Sequence, residues 1–75
     1  MTQSTATAAV FTFDTTHHAL WAEDVAREKD VPCDVIPAPP ETNSRCDLAL
    51  QVPRGQADVL ESAFRGEGIE FRRWD

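Results

Sequence analysis

An α+β fold, with a four-stranded antiparallel sheet and two helices on one face, is predicted by three features of the sequence. Short apolar blocks of period two flank two stretches of helical period. Proline or glycine follows each helical stretch and the second and third apolar blocks. The chain has only 75 residues, so all of this must form one domain.

Residues 8–13 alternate, with Ala9, Phe11 and Phe13 on one face and Val10 and Thr12 on the other, as in a half-buried strand. Asp14, Thr15 and Thr16 then offer helix N-caps. From His17 to about Glu28, Ala19, Ala22, Val25 and Ala26 fall on one helical stripe, and their small size lets the helix lie close to a sheet. Pro32 excludes the following segment from that helix. Residues 33–37 form a second strand, with Cys33 and Val35 on one side and Asp34 and Ile36 on the other, and residues 41–45 are a polar loop. A third strand starts at Cys46 or Asp47 and turns Leu48, Leu50 and Val52 toward the core. Residues 56–65 are a second helix with the stripe Ala57, Leu60, Ala63 and Phe64, ended by Gly66 or Gly68. Ile69 and Phe71 mark the last strand, with Glu70 and Arg72 outward.

Strand, helix, strand, strand, helix, strand is the split βαβ, ferredoxin-like order, which makes the first and third strands central. Residues 8–75 form this domain, preceded by a disordered tail over residues 1–7, which are rich in Thr, Ser, Ala and Gln.

The net charge of −6, with 13 acidic against 7 basic side chains, argues against nucleic acid, whose binders place Lys and Arg on phosphates. It argues equally against an anionic membrane. Acidity favours a protein partner instead. No stretch nears the roughly 18 apolar residues of a membrane span, and the N-terminus has no signal-like apolar run. The expected compartment is the cytoplasm, where both cysteines remain thiols.

Connectivity alone places those thiols. The first strand ends where the first helix begins, and the loop after the second strand lies at that same pole. Cys46, entering the third strand from this loop, is expected beside Phe13, Asp14 and the helix-start group Thr16, His17 and His18. Cys33 starts its strand at the far pole, ~13 Å away at about 3.3 Å per residue. A disulfide needs Cα atoms within about 7 Å, so none is expected. Cys33 is then a small core hydrophobe.

Cys46 has two readings. It is a nucleophilic or persulfide-bearing thiol, favoured by the helix N-terminus by about 0.3–1 kcal/mol and opposed by the charge of Asp47. Alternatively it is a partly buried hairpin cysteine with no task. His17 and His18 project about 100° apart in one helical turn, which is poor geometry for sharing a metal, and no metal or cofactor is expected. Glu23 and Asp24 read as solvated charge. Trp21 and Trp74, off the core stripes, mark either a partner surface or the core edge.

Phe11-Thr12-Phe13, Thr16-His17-His18-Ala19-Leu20, Ala22-Glu23, Ile36-Pro37-x-Pro39 and Cys46-x-Leu48-Ala49-Leu50 stand in an order and spacing that resembles the putative selenium/sulfur carrier protein-like family. These are small bacterial domains of unknown function, related to a domain found beside sulfur-carrier modules in selenium metabolism. The resemblance implies that Cys46 is the carrier thiol and that Thr16, His17 and His18 form its environment. Pro40, Asn43 and Asp47 depart from the pattern, where the family resembles Arg, Ser and Gly. The first change removes a cation from the thiol's surroundings, and the last adds a side chain and a charge beside it.

The expected function is a persulfide relay through Cys46 with a protein donor or acceptor and no turnover of its own. The alternative is a non-catalytic interaction module that docks through an edge strand.

Overall fold

The computed structural model describes residues 8–74; the tail over residues 1–7 lies outside them. Strand β1 (Ala8–Thr12) leads into helix α1 (Thr16–Glu28), and strand β2 (Asp34–Pro37) follows. A 3-10 turn (Pro40–Thr42) precedes strand β3 (Leu48–Pro53), helix α2 (Arg54–Glu67) and strand β4 (Arg72–Trp74). The sheet order is β2-β3-β1-β4 with every neighbour antiparallel, the expected ferredoxin-like arrangement.

Register fixes which side chains meet the helices. Val35, Leu50, Phe11 and Arg73 form one row across all four strands. Opposed residues share a face, so this row points to the same side as Ala9 and Val52. Ala9, Phe11, Leu50 and Val52 are buried in one cluster with the predicted stripes of both helices. Phe64 of α2 is its hub. It meets Phe11 edge-on at 5.2 Å, Phe71 at 5.6 Å and Phe13 at 6.1 Å. Edge-to-face geometry brings the electropositive rim of one ring to the face of the next. Arg73 ends the row not as an exposed charge but as a clasp, with Nη1 donating to Asp58 Oδ1 at 2.6 Å and Glu61 Oε1 at 2.8 Å of α2.

Both helices stop by the same device. Asp30 (φ 57) and Gly68 (φ 83) adopt the left-handed conformation after α1 and α2. Paired backbone bonds close each end, Asp30 N to Arg27 O with Val31 N to Ala26 O, and Gly68 N to Arg65 O with Ile69 N to Phe64 O. The next residue, Val31 or Ile69, is buried against its own helix, as this cap favours. Asp30 therefore ends α1 two residues before Pro32 is reached.

Several boundaries differ from the sequence expectation: β1 ends at Thr12, α1 begins at Thr16 and β3 begins at Leu48, and four further shifts have a local cause. β2 begins at Asp34, leaving Cys33 just ahead of the ladder, half-buried against the core. The polar loop contains the 3-10 turn, because Pro40 suits its first position and the Thr42 hydroxyl donates to Pro39 O at 2.7 Å. Helix α2 spans Arg54–Glu67 rather than residues 56–65, since extended Pro53 serves as its N-cap and Gly66 is accommodated inside. The last strand pairs only over Arg72–Trp74, because Ile69 is spent on the cap of α2. Among the described residues, no helix is long and apolar enough to cross a membrane.

The aromatic hub yields a stability prediction. Total stability for this length is about 4–11 kcal/mol at roughly 0.05–0.15 kcal/mol per residue. Phe64→Ala should remove about 3–5 kcal/mol of it. Urea unfolding followed by circular dichroism should show the midpoint collapse, and a loss below about 1 kcal/mol would contradict the hub.

Candidate functional site

Connectivity delivers three segments to one pole: the end of β1, the start of α1 and the loop of residues 38–47. Thr15 caps α1, its hydroxyl accepting from His18 N at 3.1 Å, which sets the direction of the first turn. The next residue, Thr16, then projects to the sulfur. Thr16 Oγ1 and Cys46 Sγ lie 3.7 Å apart, within hydrogen-bond reach for sulfur, with either group able to donate. The thiol also accepts the backbone N–H of Leu48 at 3.3 Å. Cys46 thus sits at the expected pole beside the start of α1.

Two particulars differ from expectation, and a third matches one of two alternatives. The imidazoles do not join the sulfur: among the described residues no hydrogen bond links His17 or His18 to Cys46. Their rings group instead with Trp21, at 6.3 and 6.0 Å. His17 is exposed, while His18 turns Nδ1 into the interior without a partner. The reason is helical geometry, which separates Thr16 from His18 by about 200° around the axis. Secondly, Cys46 is only 4% exposed and belongs to the core cluster, although a carrier thiol is expected at the surface. Thirdly, Trp74 is committed to the sheet, its Nε1 donating to Thr12 Oγ1 at 3.0 Å, and Trp21 packs against the core edge.

Ser44 is the residue of this pole that sequence reasoning missed. Its hydroxyl donates to Phe13 O at 3.1 Å and accepts from Cys46 N at 3.2 Å, tying the loop to the end of β1 next to Cys46. The Ser-x-Cys spacing carried a signal for half of this, since serine side chains bond the N–H two residues on. Cys46 Sγ repeats that pattern on Leu48 N. The loop closes further through Ala38 N to Asp47 O at 2.8 Å and the left-handed Asn43 (φ 50).

Cys33 lies elsewhere, bordering a cavity with Ala8, Asp34 and Gln51. Burial holds its thiol above the ordinary value, Glu23 and Asp34 add to the effect, and Arg27 opposes it. Both cysteines are free. Among the described residues, no group of three His, Cys, Asp or Glu side chains is placed to hold a metal.

Residues 8–74 match the family described as "Putative Se/S carrier protein-like". The chain belongs to this family. Neither the curated proteins nor the solved structures contain a match. The whole described chain is covered by the family match, the thiol loop and both helices included.

Thiol labelling separates the two cysteines. In the folded protein Cys33 should react first, slowly at neutral pH and faster as pH climbs past the usual thiol range. Because its folded value is raised, the stability linked to its bound proton is complete below the ordinary thiol value and fades as pH rises through the elevated one. Cys46 should be protected until the loop opens. Ser44→Ala removes two bonds of about 0.5–1.5 kcal/mol each and should speed Cys46 labelling roughly 5- to 150-fold without altering Cys33. Equal rates in the two proteins would mean that Ser44 does not restrain the loop.

Proposed function

We propose that this chain relays sulfur or selenium on Cys46, with the loop of residues 38–47 as a cover that lifts for loading. The observation that carries this reading is the sulfur's preformed pair of neighbours. The Leu48 N–H points at Sγ and the Thr16 hydroxyl lies beside it, so a thiolate formed there gains two donors. Family membership supports the chemistry.

In the loading step the Cys46 thiolate attacks the terminal sulfur of a donor persulfide. A new S–S bond forms at Cys46 and the donor's S–S bond breaks. The donor leaves as a thiolate and takes up the proton that Cys46 gave to solvent. Delivery repeats the exchange, with an acceptor nucleophile attacking the outer chalcogen and Cys46 leaving. No net redox change occurs, so no cofactor is required, and a protein donor or acceptor is the natural partner.

A second reading, a non-catalytic interaction module, draws on two observations. The thiol is covered, and β2 is an edge strand that leaves Val35 39% exposed on the face that carries the helices. An extended partner segment could add to that edge.

Intact mass after incubation with a cysteine desulfurase and cysteine distinguishes the two. A carrier gains one sulfur, keeps that gain in Cys33→Ser and loses it in Cys46→Ser. An unchanged mass in the parent protein and in Ser44→Ala, where the cover is loosened, would sink the relay and leave the interaction module.

A further inference from the structure

A cavity of about 400 Å³ opens at the same pole as Cys46, between the end of β1, residues 42–45 and the approach to β4. Its size is that of a small-ligand site, about 300–1,000 Å³. Three observations make it more than a gap between loops.

The first is burial of hydroxyls. Thr12 and Thr42 are the buried polar side chains of the described residues, at 3% and 4% exposure, and both line this cavity, Thr42 with its O–H already given to Pro39 O. Trp74 Nε1 occupies an acceptor position of Thr12 Oγ1, which leaves the Thr12 O–H as a donor. The second is unspent positive charge. Arg27, Arg65 and Arg73 are held in ion pairs. Arg45, Arg54 and Arg72 are in none among the described residues, and two of these three line the cavity. The third is the opposite charge on the same walls, Asp14 and Glu70, which also stand outside every ion pair among the described residues.

Carboxylates on the wall repel a simple anion, and guanidinium groups repel a simple cation. A ligand that carries both charges meets neither penalty, and it offers each arginine and each carboxylate a partner they do not find in the protein. We propose that the cavity binds the zwitterionic head of a free α-amino acid, its carboxylate toward Arg45 and Arg72 and its ammonium toward Asp14 and Glu70. Ser44 joins this wall to the thiol cover, because the hydroxyl that borders the cavity is also the group that bonds Phe13 O and Cys46 N. Occupancy therefore biases the cover over Cys46. Binding itself needs no sulfur transfer, so it stands or falls apart from the relay.

The test is an amide NMR titration of the full chain with L-serine, whose side chain cannot exchange with thiols. Ethanolamine and lactate, which each lack one charge, serve as controls, along with inorganic phosphate. Saturable shifts confined to residues 12–14, 42–45 and 70–72 are expected with serine. Ethanolamine and lactate should bind at least tenfold more weakly. Arg72→Gln and Asp14→Asn should each weaken serine tenfold or more, and Arg45→Gln, on an exposed loop, does the same should Arg72→Gln disturb β4. The proposal fails if serine gives no saturable shift at concentrations well above roughly millimolar Kd. It fails equally if phosphate or lactate binds as tightly as serine, or if the shifts lie elsewhere.

Discussion

The contact of Phe64 with three other rings is the constraint on which both the fold and the pole depend. Phe11 belongs to a central strand, Phe13 follows its end, and Phe71 leads into the last strand. One side chain of α2 therefore ties the end of β1, far away in sequence, to the approach to β4. The Phe13 carbonyl that receives Ser44 is placed by this cluster, and so is the turn that carries Glu70 and Arg72 to the cavity. Ile69 N, bonded to Phe64 O, ties the same residue to the chain that leaves α2. In a domain this small, with limited surface to bury, such shared use of one ring replaces the depth of a larger core.

Sheet order, helix stripes and the pole of Cys46 were legible because each rests on local periodicity and connectivity. Ala19, Ala22, Val25 and Ala26 pack as their spacing requires, as do Ala57, Leu60 and Phe64. What was hidden depends on bonds between residues far apart in the chain. Ser44 reaches a carbonyl 31 residues earlier, and Arg73 reaches carboxylates 12 and 15 residues earlier. No window of sequence contains both partners. Arg73 also illustrates why charge is a poor guide to facing. Its register puts it on the helix side, where a long side chain pairs with α2 instead of pointing to water. The burial of Cys46 was left open between two readings, because the strand that the cysteine precedes does not decide it.

Thr16, not histidine, is the helix-start side chain that meets the sulfur, and this changes what the pole can do chemically. A hydroxyl supplies no positive charge. It offers a proton to a thiolate or a lone pair to a thiol, and it costs little in either state. The Leu48 N–H adds a fixed donor of the kind that stabilises anionic sulfur without protonation changes. An arrangement of neutral donors suits a thiol that passes an atom on better than one that must remain permanently ionised.

A covered thiol also bears on how a relay avoids loss. An exposed persulfide surrenders its outer atom to any thiol that collides with it, whereas one under the loop is reached only in the open state. Opening must break the two bonds of Ser44, about 1–3 kcal/mol together, so the open fraction is small without help. That cost slows loading and loss by the same factor, and the cover alone confers no selectivity. Selectivity requires a partner that binds the open form more tightly than the closed one, by at least the cost of opening. Edge strand β2 runs directly into the loop of residues 38–47. A partner pairing with that edge would contact the cover at its hinge, so docking on the strand and uncovering the sulfur become parts of one event rather than competing accounts of the protein.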